Sequence, residues 1–107
     1  MPELIISPQA EQDLLDIWLY IAEDNTVNAD RYLDKLNDKA ISLSESSGIG
    51  KDRPELAPNN LKSFPVDHYM LYYLPIKTGI ELVRILRTSR DTQPLFKGYQ
   101  GVSQLDR

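Results

Sequence analysis

The stretch YMLYYL, residues 69–74, is apolar or aromatic at every position, on both of the faces that strand alternation creates. A strand of that kind has no side to give to water, so it belongs at the centre of a sheet. Residues 61–66 and 80–87 supply strand-like neighbours, and Asp67-His68 and Lys77-Thr78-Gly79 are short enough to be the turns between them. Pro65 has no N–H for a ladder, which directs the first of these strands to an edge. In the last strand simple alternation puts Leu82, Arg84 and Leu86 on one face and Val83, Ile85 and Arg87 on the other.

The first half of the chain reads differently. Leu4 to Ile6 is a short strand, and Ser7-Pro8 is a helix start, with Ser7 as N-cap and proline at the first helical position, where its missing N–H costs nothing. Ala10, Leu14, Ile17, Trp18 and Ile21 then recur at helical spacing, and Leu15, Leu19 and Ala22 widen the apolar stripe. Glu23 to Asn28 is a polar connection into a second amphipathic helix carrying Ala29, Leu36, Ala40 and Leu43. Its outer face alternates Asp30, Asp34 and Asp38 with Arg31, Lys35 and Lys39, a solvated pattern of i,i+3 ion pairs. Residues 44–60 form a long loop with room for a turn of helix at its centre.

Segregated helices and strands predict an α+β fold: an N-terminal strand and a helix hairpin packed on a small antiparallel sheet. The 107 residues fit one domain, residues 1–107, whose tail from about residue 92 has weak periodicity.

Composition limits the chemistry. Without cysteine there is no disulfide, thiolate nucleophile or cysteine-based metal site, and one histidine, His68, cannot build a cluster. No cofactor or metal is expected. Twelve basic against sixteen acidic residues give a net charge of −4, which argues against direct nucleic-acid binding. No apolar run approaches the ~20 residues of a membrane span and the start is not a signal peptide, so no membrane association and a cytoplasmic location are expected.

Individual constellations are weak. GIGK, residues 48–51, lacks the spacing of a phosphate loop. Glu11, Asp13 and Asp16 could mimic paired carboxylates, but acidic residues early in a helix are expected from its macrodipole. Tyr69, Tyr72 and Tyr73 could stack on bases, although strand alternation favours core packing. Arg84 stands between Leu82 and Leu86, where an unpaired charge is expensive; it either pairs with an internal carboxylate or opens into a groove. Arg87 and Arg90, at or beyond the strand end, are either solvated or partner contacts.

Taken together, SPQAEQDLLDIWLYIAED, ADRYLDKL, GIGKDRPELAPNNLKSFPVDHYMLYYLP and GIELVRILRTSRDTQPLF resemble, in order and spacing, the ParE/RelE superfamily of bacterial type II toxin–antitoxin toxins, and within it the ParE branch. The likeness spans roughly Leu4 to Phe96. It implies a helix hairpin against a small antiparallel sheet, a role in plasmid stabilisation, and a hetero-oligomer with a small ParD-like antitoxin.

RelE-like members of the superfamily cut mRNA on the ribosome with basic residues and a tyrosine, whereas ParE-like members inhibit DNA gyrase by binding. Carried over residue by residue, the nuclease pattern places Met70 where an arginine is needed and Phe96 where the tyrosine is needed, with Tyr99 as a conceivable substitute; Arg90 is kept. Lys51, Arg53 or Lys62 could match the loop's basic residues. Neither a thioether nor a phenyl ring can hold or move a proton, and losing one positioned acid–base group costs about 10²–10⁴-fold. The ParE branch often shows a histidine where Arg87 stands.

The resemblance therefore implies a gyrase inhibitor with no catalytic residues. Arg84, Arg87 and Arg90 form its polar contact patch, and Leu95 and Phe96 its apolar anchor. The alternatives are a ribosome-dependent mRNA endonuclease and an inactive homologue that only binds antitoxin.

Overall fold

A computed structural model of the protein describes residues 2–57 and 59–88. Arg90, Leu95, Phe96 and Tyr99 lie outside them. The elements run β1 (Glu3–Ile6), α1 (Pro8–Ala22), α2 (Thr26–Glu45), a 3-10 turn (Ser47–Ile49), β2 (Lys51–Asp52), β3 (Lys62–Val66), β4 (Tyr69–Ile76) and β5 (Gly79–Arg87).

Both helices begin where side-chain chemistry permits. Ser7 Oγ accepts from the Ala10 amide at 3.0 Å, with Pro8 next in line. Asn25 does the same for the Asn28 amide at 3.0 Å. That cap starts α2 at Thr26, so the link between the helices is shorter than the polar run from Glu23 to Asn28 predicts.

The five strands lie in the order β1-β5-β4-β3-β2, with β4 at the centre as its two-sided apolarity demands. β3, β4 and β5 form the antiparallel meander. β3 is not the outermost strand, as Pro65 led one to expect, because β2 pairs outside it; the short ladder covers only Lys62 and Ser63, so Pro65 itself pairs only with Met70 and needs no N–H on its other side. β1 pairs parallel to β5, from Glu3 opposite Gly79 to Ile6 opposite Leu82. The sheet is thus mixed rather than wholly antiparallel. Gly79 makes this possible: a Cβ there would run into the backbone of Glu3.

Both faces of the sheet are covered. On one, Ala10 and Ile17 of α1 and Leu36, Ala40 and Leu43 of α2 pack on Val66, Leu71, Tyr73, Ile80, Leu82 and Ile85. On the other, Tyr72, Leu74, Val83, Leu86 and Met70 meet Leu56, Ala57 and Leu61 from the long loop. Tyr72 and Tyr73 are core residues, 3% and 0% exposed, and so unavailable for stacking on bases. Simple alternation fails in β5. Tyr72 faces Arg84 and Tyr73 faces Leu82, which leaves Val83 as an extra residue, a β-bulge. The bulge shifts the phase, so Leu82 and Ile85 share the helix-side core while Val83 and Leu86 share the opposite one.

The long loop is tied down by one buried phenol. Tyr73 Oη donates to the Ser47 carbonyl at 2.8 Å and accepts from the Gly50 amide at 2.9 Å. Burial pushes its pKa up, so the hydroxyl stays protonated at neutral pH and can do both. Gly50 permits the approach, because a Cβ at that position would occupy the space of the Tyr73 ring and hydroxyl. The helical turn lies at the start of the loop, where this tether holds it, and not at its centre.

Tyr73→Phe removes both bonds and is expected to cost about 1–3 kcal/mol in urea unfolding at unchanged m-value. Faster hydrogen exchange at the Gly50 amide should accompany that loss.

Candidate functional site

The chain leaves the sheet at Ser7 while β5 runs on. At that corner Ser7 closes the gap: its amide donates to the Leu82 carbonyl at 3.0 Å and its hydroxyl to the Val83 carbonyl at 2.7 Å. Six residues on, Asp13 faces inward from α1 and is 8% exposed. One of its oxygens, Oδ2, accepts from the Ile85 amide at 3.0 Å and from Arg84 Nε at 2.8 Å; the other, Oδ1, accepts from Arg84 Nη2 at 3.0 Å. The carboxylate therefore takes the place of a ladder partner where β1 has ended, and it neutralises the arginine at the bulge. Its hydrogen bond holds the Arg84 pKa above the ordinary guanidinium value. Of the two readings of Arg84 open at the level of sequence, the geometry realises internal pairing.

Asp13 carries more than the macrodipole argument assigns to it. The signal was present in its position: a carboxylate flanked by Ala10, Leu14 and Ile17 lies within the apolar stripe, and a charge there needs a partner.

Arg87 behaves differently. Its guanidinium lies over the Tyr20 ring at 5.6 Å and over the Tyr69 ring at 5.9 Å. Tyr69 in turn packs against Tyr32 with ring centroids 5.8 Å apart. Burial and the nearby Asp67 push the Tyr32 pKa to about 12, so its hydroxyl is neutral and donates to the Val66 carbonyl at 3.4 Å. Asp67 is bridged by Lys35 of α2 at 2.8 Å, and His68 occupies the adjoining exposed turn, its carbonyl accepting from the Thr88 amide at 2.9 Å. A groove opens between α1 and the end of β5, lined by Asp13, Asp16, Ile17, Tyr20, Ile85 and Arg87 among others. Tyr20, on the exposed side of its helix, gave no sequence signal.

Other charges are answered close to home. Lys62 meets Asp52 at 2.6 Å, and Arg53 meets Glu55 at 2.7 Å and Ser63 Oγ at 3.4 Å. Met70 lies in the apolar cluster opposite the helices, opposite Pro65 on β3 and Leu86 on β5. The structure thus brings Arg84 and Arg87 to one end of the sheet but into different surroundings. Arg90, Leu95 and Phe96 fall outside the described residues. Among the described residues no group of three potential ligands could hold a metal ion, and no helix is long and apolar enough to cross a membrane.

Residues 4–92 match the family model described as the ParE toxin of the type II toxin–antitoxin system parDE. The chain belongs to the ParE toxin family. The architecture agrees: a solved chain described as "Chromosomal ParDE TA system from P. aeruginosa" superposes with a TM-score of 0.67 at 19% identity, over 81% of this chain and 96% of that one. At that identity the likeness speaks for the fold. No curated protein matches significantly. As a ParE-family toxin the chain is one half of a two-component module, so its exposed features are to be weighed as protein-binding surface.

Asp13→Asn should destabilise this ParE-family toxin by about 3–5 kcal/mol, because it leaves a largely buried guanidinium without its counter-charge. Removing both partners in Asp13→Leu with Arg84→Met should recover part of the loss, the remainder reflecting the unpaired Ile85 amide. Chemical denaturation of the two variants measures both.

Proposed function

We propose that the protein is a cytoplasmic toxin that inhibits DNA gyrase by binding it, performs no covalent chemistry of its own, and is neutralised in a hetero-oligomer with a ParD-like antitoxin. Family membership supports the module; one observation favours adhesion over RNA scission. Met70, at a position where the related nucleases need a cation, is packed with Leu86, Leu56 and other apolar side chains. A phosphorane forming there would find no donor in Met70 or in the apolar side chains packed with it. Two of the candidate basic residues, Arg53 of the loop and Lys62 of β3, are already paired with carboxylates.

In this reading Arg87 and Arg90 make the polar contacts, Leu95 and Phe96 supply an apolar anchor, and Arg84 supports the patch through its hold on Asp13. The strand end and the groove beside it are also where an antitoxin segment binds, so antitoxin and gyrase compete for one surface.

Purified toxin should inhibit supercoiling by purified gyrase, and added antitoxin should relieve it. Alanine at Arg87 and Arg90 should weaken the inhibition by about tenfold or more if these are anchoring contacts. Cleaved transcripts in a translation extract, with gyrase unaffected, would replace this reading by the endonuclease. Expression without growth arrest would leave the inactive, antitoxin-binding homologue.

A further inference from the structure

The groove between α1 and β5 contains an imbalance of charge partners. Two carboxylates line it: Asp13 is neutralised by Arg84 and also accepts from the Ile85 backbone amide, and Asp16 accepts from the Gln12 side-chain Nε2 at 2.9 Å. Arg87 lines it too, and among the described residues its guanidinium has no hydrogen bond and no ion pair. What it has is two aromatic rings, Tyr20 and Tyr69, which orient the planar cation without consuming its N–H donors. Tyr69 is itself held against Tyr32. A guanidinium fixed in this way loses little freedom when it forms a paired hydrogen bond with a planar anion.

We infer that the Arg87–Tyr20–Tyr69 notch is a carboxylate receptor, and that its ligand is an acidic side chain of a partner polypeptide with apolar residues beside it. This rests on the reading of the protein as a toxin that works by binding other proteins. A polyphosphate backbone is the poorer match, because Asp13 and Asp16 share the groove and the whole chain carries a net charge of −4. A single carboxylate answers a single cation. The apolar neighbours have a place to go: Leu15, Leu19 and Tyr20 on the outer side of α1 are 49%, 52% and 60% exposed, and Ile17 and Leu86 line the groove.

The test uses the full chain labelled with nitrogen-15 and two blocked pentapeptides, one with glutamate between pairs of leucines and one with glutamine in its place. The glutamate peptide should shift the Arg87 Nε–Hε resonance and the ring signals of Tyr20, and the glutamine peptide should bind about tenfold more weakly. Arg87→Ala should abolish the preference for glutamate. Arg87→Lys, which keeps the charge and loses the fork, should retain only part of it. Equal binding of the two peptides, or a preference that survives Arg87→Ala, overturns the inference. So does a larger response of the same resonances to a thymidine decanucleotide, which assigns the notch to phosphate. Gyrase inhibition by the unmodified protein is measured separately. Failure here with gyrase inhibition intact removes the notch and leaves the proposed function standing, whereas glutamate preference without gyrase inhibition removes the target and keeps the notch.

Discussion

The site end of this fold depends on how α1 takes over from β1 along the edge of β5. β1 reaches only as far as Leu82, and the strand beside it continues for five more residues with main-chain groups that need partners. Ser7 and Asp13, on the first turns of α1, supply them at Leu82, Val83 and Ile85. The same carboxylate neutralises Arg84. One helix is thereby pinned to the sheet by polar contacts at its start and by Ala10, Ile17 and Leu14 along its length. Its pitch then sets where Tyr20 stands relative to Arg87.

That placement gives the two arginines of β5 different surroundings. Arg84 is a component of the framework, enclosed and answered. Arg87, three residues on, has been carried past Asp13 to the rim, where rings support it and leave its donors outward. Three residues of unbroken strand put the two on opposite faces, and the bulge at Val83, which precedes both, sets which face each receives. On the far face of the sheet Met70 lies in an apolar cluster with Leu86 and Leu56.

Much of this was readable from the residues. The two-sided apolarity of β4 gave its central position and Ser7-Pro8 the start of α1, whereas Pro65 marked only the uncovered end of β3, since β2 lies outside that strand. The parallel attachment of β1 was not readable, because a four-residue strand carries no mark of its partner's direction. Gly79 read only as part of a turn, although the close approach of Glu3 depends on it. Nor was the phase shift in β5, since alternation arguments assume an unbroken ladder. Of the site, Arg84's need for a partner was legible and the partner's identity was not, because Asp13 was put down to the helix macrodipole although it stands among apolar residues. Tyr20 was invisible, because an exposed aromatic on a helix becomes informative only once β5 is laid beside it.

The pairing of the first strand with the last has a bearing on synthesis. Ser7 closes on Val83 across 76 positions of chain, so the edge that carries Arg87 cannot be assembled from a nascent N-terminal half. While the ribosome is still extending it, the polypeptide has helices but no finished rim. The rim that carries Arg87 is therefore completed only once β5 has been made and has docked beside the first strand and helix.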